Sequence, residues 1–159
     1  MTIVTKTSTT SVNASASDVW EELDSHFLDI SKWAGGVTSS VPNPATPTGH
    51  SGSAHGGRIC DVDGIGTTDE RITNFDADTR TLTYSIRAEG LPFFVEGLQN
   101  TWTVRADGPD RSVIDVEIVG TTKGIVGKLA AFPFGRMLAK GADGLPADLK
   151  SYLEQQNPT

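Results

Sequence analysis

The C-terminal stretch from Gly124 to Gln156 constrains the fold of this chain more than any other segment. Its apolar residues recur at helical spacing, and most of its charged residues lie elsewhere. The apolar stripe consists of Leu138, Ala142, Leu145, Leu149, Tyr152 and Leu153. A long helix with a single apolar face must bury that face against another apolar surface. We therefore predict that this helix packs against a sheet made by the strands that precede it.

Alternating apolar and polar residues predict six to seven strands before the helix. The runs are 2–12, 37–41, 57–64, 67–75, 81–89, 95–106 and 112–122. Turn signals such as Asp76–Thr79 separate neighbouring runs, so the strands should form antiparallel hairpins in series, with the first strand at or near an edge. Two short helices are expected after the first strand, one beginning at Ser15 or Ser17 and one over Asp29–Trp33.

The predicted architecture is α+β: a curved antiparallel sheet wrapped around the long C-terminal helix, in one domain over residues 1–159. Pro133 and Pro146 interrupt the helical pattern, and we expect a kink, or a helix that restarts at Pro133. A twisted sheet that curls round one helix does not close tightly everywhere. A gap that can hold a ligand is therefore expected between sheet and helix.

Charge and composition narrow the partners. The formal net charge of −7 argues against nucleic acid and anionic membranes, since both require a basic surface. Cys60 is the only cysteine, which excludes an intramolecular disulfide and a thiolate metal cluster. His50 and His55 lie in a loop over Pro42–Gly57 that we expect to be flexible, and His26 is the only other histidine. We predict no metal site and no cofactor.

The sequence also bears on location. The N-terminus lacks the basic region and apolar run of a signal peptide, and no apolar run approaches the roughly 20 residues of a membrane span. We therefore expect a cytoplasmic protein without an integral membrane segment. The oligomeric state is left open between monomer and dimer.

Polar groups interrupt the predicted inner face of the sheet. Alternation directs Arg58, Glu70 and Asn100 inward, onto the same face of the sheet as Tyr84 and Trp102. An ionised carboxylate in a dry core costs several kcal/mol unless it is paired. A cavity that also holds an arginine, a tyrosine hydroxyl and an amide offers such a carboxylate partners and room for water.

Pairing the hairpins around their turn signals predicts Cys60 opposite Glu70, with Arg58 one diagonal away. Glu70 would then lie near Tyr84, and Tyr84 near Trp102. Three interpretations of these groups remain open. Arg58 and Glu70 could form a structural ion pair, polar anchors could orient a ligand, or Glu70 could act as a general acid–base.

Aromatic residues supply further candidates for the cavity wall. Phe93 and Phe94 lie on a hairpin loop and could cap a cavity mouth, dip into a membrane surface, or pack as ordinary core. Phe132 and Phe134 flank a proline and could line the cavity where the helix kinks, or pack against the sheet. Trp33 closes the second short helix and is a candidate ligand contact.

Five segments spread over nearly the whole chain carry a family resemblance. They are NASASDVW at 13–20, ISKWAGG at 30–36, GGRICDVDG at 56–64, ERITNFDADTRTLTYSI at 70–86 and ADLKSYLE at 147–154. Together with the order of elements, these segments resemble the START and Bet v 1-like (SRPBCC) superfamily, in particular its bacterial polyketide cyclase/dehydrase and lipid-transport branch. The resemblance implies the helix-grip fold, a large apolar cavity, a gating loop or two and a small hydrophobic ligand.

The resemblance also bears on single residues. Glu70 matches the position at which the related plant abscisic-acid receptors place an inward Glu in a water network, and Asn100 matches a polar cavity position there. The loop over Pro42–Gly57 is longer than in those receptors and GLPFF replaces their latch, so hormone sensing is not implied. Aromatase/cyclase members place polar residues along the pocket without a single defining triad. No catalytic residue is therefore carried over.

We predict that the protein binds or carries a small hydrophobic ligand, such as a lipid, an aromatic or a polyketide-like molecule. One alternative is a cofactor-independent cyclase, aromatase or dehydratase. In that enzyme Glu70 or Tyr84 would move protons and Arg58 would hold an enolate or carboxylate. A second alternative is a protein-interaction module with a collapsed cavity.

Overall fold

The computed structural model describes residues 1–156 as one sheet and four helices. The strands are β1 (Thr2–Val12), β2 (Val37–Pro42), β3 (Gly57–Val62), β4 (Gly66–Asp76), β5 (Thr81–Ala88), β6 (Val95–Ala106) and β7 (Ser112–Thr122). The helices are α1 (Ala16–Leu23), a 3₁₀ helix (Phe27–Lys32), α2 (Gly124–Leu129) and α3 (Ala131–Gln156). Among these described helices, none is both long enough and apolar enough to cross a membrane.

The sheet is a single antiparallel layer. Its seven strands follow the order β1-β7-β6-β5-β4-β3-β2, so consecutive strands from β2 to β7 are neighbours and β1 returns to the far edge. The inner face of the sheet carries the core: Ile114, Val116 and Trp102 are at most 1% exposed, and Val62 and Ile86 are partly buried against it. The α+β helix-grip fold and the edge position of β1 are therefore confirmed.

Helix α3 covers one side of the sheet. Leu138, Ala142, Leu149 and Leu153 of the predicted stripe are buried, while Leu145 and Tyr152 are partly buried against the same core. The helix contacts β1 and β7. The Ser8 hydroxyl donates to the Ala142 carbonyl, and Lys150 Nζ donates to the Ser11 carbonyl at 2.8 Å. α3 therefore lies toward the β1 edge of the sheet.

The short helices close one end of the sheet. Ser15 is the N-cap of α1, and its hydroxyl accepts from the Asp18 amide at 3.1 Å, which stabilises the first turn. Val19 and Leu23 of α1 and Phe27 of the 3₁₀ helix are buried in the core. The apolar face of this segment thus fills the space between sheet and α3 at that end.

The break in the C-terminal helix differs from the prediction. α2 ends at Leu129 and α3 begins at Ala131, so the interruption precedes the expected restart at Pro133. Pro133 lies in the first turn of α3, where the missing N–H is not needed for an intrahelical bond. Pro146 is accommodated inside α3 and is buried.

The register of β3 and β4 corrects the predicted pairing. Arg58 lies directly opposite Glu70, and Cys60 lies opposite Thr68. The connection from Val62 to Gly66 is tighter than the turn signals implied, because Gly64 and Gly66 both adopt positive φ, at 80° and 85°. The slip leaves every side chain on its predicted face, since the strand period is two.

The next two hairpins place the predicted neighbours on diagonals of the ladder. Glu70 lies directly opposite Ile86, and Tyr84 lies directly opposite Asn100, so Tyr84 and Trp102 are the diagonal and not the direct partners of Glu70 and Tyr84. A bulge between Ile72 and Asn74 changes the register within β4 and brings both Ile72 and Phe75, three positions apart, to the buried face.

Candidate functional site

A cavity of about 160 Å³, termed the main cavity, lies between α3 and the inner face of the sheet. Its apolar lining comes from Ile30, Val37, Val62, Ile65, Ile86, Leu98, Ile118, Met137, Leu138, Gly141 and Leu145. Its polar lining comes from Arg58, Thr68, Glu70, Tyr84 and Asn100. Met137 is 42% exposed, so this side chain marks the mouth through which the cavity reaches solvent.

The position of α3 explains why this space is open. The helix contacts β1 and β7, which leaves the inner faces of β3, β4 and β5 farther from it. Gly141 is the residue that α3 presents to the cavity between Leu138 and Leu145. A Cβ built there would meet only Ile118 Cδ1 at 3.4 Å, an ordinary contact. A larger residue at 141 would therefore extend into the main cavity.

Arg58 and Glu70 form a buried ion pair on adjacent strands. Arg58 Nε donates to Glu70 Oε2 at 2.7 Å, and the two side chains are 4% and 7% exposed. Thr68 donates its hydroxyl proton to the other carboxylate oxygen at 3.1 Å. Arg58 Nη1 donates to the Phe27 carbonyl at 2.7 Å. Both oxygens of Glu70 are therefore engaged by the protein itself.

Aromatic rings complete the surroundings of Arg58. Its guanidinium carbon lies 4.0 Å from the centre of the Phe27 ring and 5.0 Å from that of Tyr84, distances at which a cation is attracted to a ring face. Burial opposes the Arg58 charge, but Glu70 together with the nearby Tyr84 and Cys60 outweighs it, so the pKa of Arg58 lies above its ordinary value. The guanidinium remains charged.

Tyr84 and Asn100 face each other across β5 and β6 inside the cavity. Asn100 Nδ2 donates to the Tyr84 hydroxyl oxygen at 3.1 Å. Burial raises the pKa of the Tyr84 phenol, although Arg58 opposes this effect, so the hydroxyl keeps its proton at neutral pH. Asn100 is 3% exposed, and within residues 1–156 its Oδ1 has no hydrogen-bond partner.

Two predicted ligand contacts, Trp33 and Trp102, lie outside the main cavity. They border a gap of about 10 Å³ on the other side of Arg58, termed the small gap. Their rings meet edge to face with centroids 6.1 Å apart, and both residues are buried. A gap of this size has room for about one water molecule. These tryptophans therefore serve packing in this structure.

The four predicted phenylalanines also lie outside the main cavity. Phe134 is buried, and its ring lies where a side chain at Gly120 of β7 would be, since a Cβ there would approach it to 2.4 Å. Phe94 packs edge to face on Phe134 with centroids 6.4 Å apart. Phe93 and Phe132 are 76% and 77% exposed. The predicted wall around Phe132 is therefore corrected, because the helix break turns this residue toward solvent.

An exposed apolar surface surrounds this part of the molecule. Besides Phe93 and Phe132, it includes Ile125, Val126 and Leu129 of α2. The Lys123 amide donates to the Phe94 carbonyl at 2.8 Å, which joins the hairpin loop to α2. Residues 118–142 contain four basic side chains and no acidic one, so the charge here is opposite in sign to the net charge.

The loop over 43–56 supports the site from outside. Asn43 is 2% exposed, and its Nδ2 donates to the Glu70 carbonyl at 3.2 Å and to Asp69 Oδ1 at 2.8 Å. The Ala54 amide donates to Asp24 Oδ1 at 2.9 Å. The loop that was expected to be flexible is therefore tied to β4 and to the segment after α1.

Among the described residues, no cluster of three or more His, Cys, Asp or Glu could hold a metal ion.

Sequence reasoning missed much of the apolar lining. Alternation placed Ile86, Leu98 and Ile118 on the inner face, and the helical stripe contained Leu138 and Leu145, but nothing separated cavity residues from packed ones. Ile65 and Met137 were not anticipated, because they come from a tight turn and from the flank of the stripe.

Cys60, on the same face as Arg58, is buried, and burial raises the pKa of its thiol, so it is not a nucleophile at neutral pH.

Comparison with known proteins identifies the family of this chain. A family model described as polyketide cyclase / dehydrase and lipid transport matches residues 3–150. The chain belongs to this family. No curated protein matches the chain. The predicted resemblance to the START and Bet v 1-like superfamily is thereby confirmed.

Solved structures share the fold. A START superfamily protein from Mycobacterium smegmatis is 13% identical, with coverage of 96% of this chain and 99% of that one and a TM-score of 0.74. The Zhui aromatase/cyclase from Streptomyces sp. R1128 is 16% identical, with coverage of 97% and 96% and a TM-score of 0.69. Norcoclaurine synthase from Thalictrum flavum, in complex with dopamine and hydroxybenzaldehyde, is 19% identical, with coverage of 99% and 90% and a TM-score of 0.66. At these identities the likeness establishes the fold alone.

Proposed function

We propose that this protein binds a small hydrophobic ligand in the main cavity between the sheet and α3. The observation that carries the proposal is a space of about 160 Å³ with a mostly apolar lining and a mouth at Met137. An engineered apolar cavity of about 150 Å³ binds benzene. A ligand of one or two rings therefore fits the cavity better than a long-chain lipid. A space of this volume also argues against a module with a collapsed interior.

Two further observations support the proposal. The family is described by cyclase, dehydrase and lipid-transport roles, all of which act on largely apolar molecules. Norcoclaurine synthase, which shares the fold, was solved with two small aromatic compounds bound. The lining of the main cavity is suited to ligands of that size, because its apolar side chains gain contact area when the space is filled.

The proposal is tested with ethylbenzene as the probe. We expect ethylbenzene to perturb the methyl NMR resonances of Leu98, Ile118 and Leu138 in a saturable manner. Gly141→Leu should weaken this binding by at least tenfold, since its side chain extends into the cavity. Gly144→Leu is the matched control, because Gly144 is exposed on the same helix and a Cβ there meets nothing within 4 Å.

The two variants make the outcome clear. Binding by the wild-type protein and by Gly144→Leu, but not by Gly141→Leu, supports the cavity as the site. Shifts that spread over the exposed surface of α2, or equal binding by both variants, would overturn it. Both substitutions replace a helical glycine by a better helix former, so neither should impair folding.

A second candidate function is a cofactor-independent dehydratase or cyclase. Tyr84 favours it, because its protonated hydroxyl faces the cavity and can donate to a carbonyl oxygen of a bound substrate. Glu70 is already engaged by Arg58 and Thr68, which favours Tyr84 over Glu70 as the proton donor in this proposal. The test follows 4-hydroxypentan-2-one, which would lose water to give the conjugated enone. Formation of the enone that Tyr84→Phe abolishes supports this function, and an unchanged rate in that variant removes it.

A further inference from the structure

We infer that the ligand of the main cavity carries a neutral hydroxyl group, which hydrogen-bonds with Asn100 and Tyr84. This inference rests on the proposed binding function and narrows it to small phenols and alcohols. It depends on an unpartnered buried polar atom that faces the cavity, on the absence of a free charge in the lining, and on the cavity volume.

The first step concerns Asn100. Asn100 is 3% exposed and lines the main cavity. Within residues 1–156 its side-chain oxygen, Oδ1, has no hydrogen-bond partner. A buried polar group without a partner costs roughly 1–3 kcal/mol, so such groups are rarely left unmatched. Because Asn100 lines the main cavity, a molecule in that cavity is the natural partner for Oδ1. A ligand that donates a hydrogen bond would remove the cost.

The orientation of the amide does not change this conclusion. Asn100 Nδ2 donates to the Tyr84 hydroxyl oxygen, which leaves the hydroxyl proton free to point at the ligand. If the amide is turned by 180°, Oδ1 accepts from Tyr84 and Nδ2 becomes the free atom. A ligand hydroxyl can donate and accept, so it complements the pair in both orientations.

The paired charges in the lining disfavour ligands that carry a charged group. Arg58 is paired with Glu70 at 2.7 Å, and the second oxygen of Glu70 accepts from Thr68. A ligand carboxylate would meet Glu70 without a free cation, and a ligand ammonium would meet Arg58 without a free anion. Because a buried unpaired charge is costly, both are disfavoured against a neutral group.

The volume then limits the apolar part of the ligand. About 160 Å³ accommodates one substituted ring. Three probes that share an ethylphenyl group separate the possibilities: 4-ethylphenol has the hydroxyl, ethylbenzene lacks it, and 4-ethylbenzoate carries a charge. In a purely apolar cavity ethylbenzene would bind best, because it is the most hydrophobic of the three.

The test measures dissociation constants of the three probes by NMR titration of the full chain. We expect 4-ethylphenol to bind about fivefold more tightly than ethylbenzene, which corresponds to one net hydrogen bond. 4-Ethylbenzoate should bind more weakly than either. Asn100→Leu should reverse the order of the first two probes. Gln99→Leu, a change at the exposed neighbour on the outer face of β6, should leave the order unchanged.

Each outcome bears on a different statement. Ethylbenzene binding that equals or exceeds 4-ethylphenol binding would overturn the hydroxyl inference and leave the cavity function standing. The inference also fails if Asn100→Leu keeps the preference for the phenol or if the benzoate binds best. Failure of all three probes would overturn the proposed function itself. If Asn100→Leu folds poorly, the double variant with Tyr84→Phe, which removes both polar partners, gives the same comparison.

Discussion

The space between sheet and helix is closed at one end and open at the other. The small gap, bordered by Phe27, Trp33 and Trp102, amounts to about 10 Å³, whereas the main cavity measures about 160 Å³. Arg58 and Tyr84 border both spaces. Two neighbouring regions of one core, which share the side chains of Ile30, Arg58 and Tyr84, are therefore packed to different degrees.

The difference lies in what covers the sheet. At the closed end, α1 and the 3₁₀ helix add large side chains such as Leu23 and Phe27 to those of the sheet. At the open end, α3 presents Gly141 and is displaced toward β1 and β7. Close packing stabilises a fold, whereas an unfilled apolar space forgoes contacts that a ligand can supply. The closed end therefore contributes more to stability, and the open end has the unfilled space that the proposed binding function requires.

The largest expected effect comes from the ion pair between the two regions. Glu70→Gln leaves the Arg58 charge buried without a counter-ion, and we expect a loss of about 4–5 kcal/mol in the free energy of unfolding. Urea denaturation measures this loss. The double variant Arg58→Met/Glu70→Leu is the control and should recover most of the stability, because no buried charge remains. A single variant as stable as the wild type would mean that the pair is not needed to join the two regions.

A matched pair of leucines tests the contrast in packing directly. Leu82 borders the small gap and is 1% exposed, while Leu98 lines the main cavity and is 8% exposed. We expect Leu82→Ala to cost about 3–4 kcal/mol and Leu98→Ala about 2 kcal/mol, since fewer contacts are lost beside an existing space. Thermal and urea unfolding of both variants give the comparison. Equal losses would contradict the difference in packing.

The smallest effect concerns a titratable contact at the closed end. His26 Nδ1 lies 3.0 Å from Glu22 Oε2, and this hydrogen bond raises the pKa of His26 above its ordinary value of 6.5. The stabilisation is fully present below pH 6.5 and is lost as the pH rises through the raised pKa. Because the His26 side chain is 46% exposed, solvent screens the contact, and we expect only about 0.3 kcal/mol.

The measurement compares the unfolding midpoint at about pH 6 and about pH 8 for the wild type and His26→Gln. The variant should show a smaller change between the two values, and the main-cavity affinity for ethylbenzene should be the same in both proteins. An identical pH dependence in the two proteins would contradict the assignment to His26.

Sequence reasoning anticipated the faces of the sheet and of α3 better than it anticipated contacts between strands. Arg58, Glu70 and Asn100 were predicted to point inward, and all three line the main cavity. The predicted pairing of Cys60 with Glu70 was wrong by a shift along the ladder, which alternation cannot detect because a slip of two residues keeps every side chain on its face. The turn at Gly64 decides the register of β3 and β4 without affecting the alternation. The bulge in β4 shifts both, since buried residues recur at every second position up to Ile72 and the next one is Phe75, three positions on.

The aromatic residues illustrate the opposite case. Trp102 is on the predicted face, yet it borders the small gap and not the main cavity. Its neighbours there are Trp33 and Leu23 of α1, which are far from it in sequence. Phe132 and Phe134 are separated by one residue in sequence, but one is exposed and the other is buried against Gly120. The position of the helix break relative to β7 determines which of them reaches the core.

The sequence by itself determined the α+β architecture, the long helix that covers the sheet, and the set of polar groups that point inward. Those features follow from period and turn chemistry, which are local properties of the chain. Only the tertiary structure decided that the space splits into a small gap and a main cavity. That outcome depends on distances between elements far apart in sequence, here α3, the 3₁₀ helix and the strands around the Arg58–Glu70 pair. The C-terminal helix both buries its apolar stripe and, at Gly141, leaves room for a ligand.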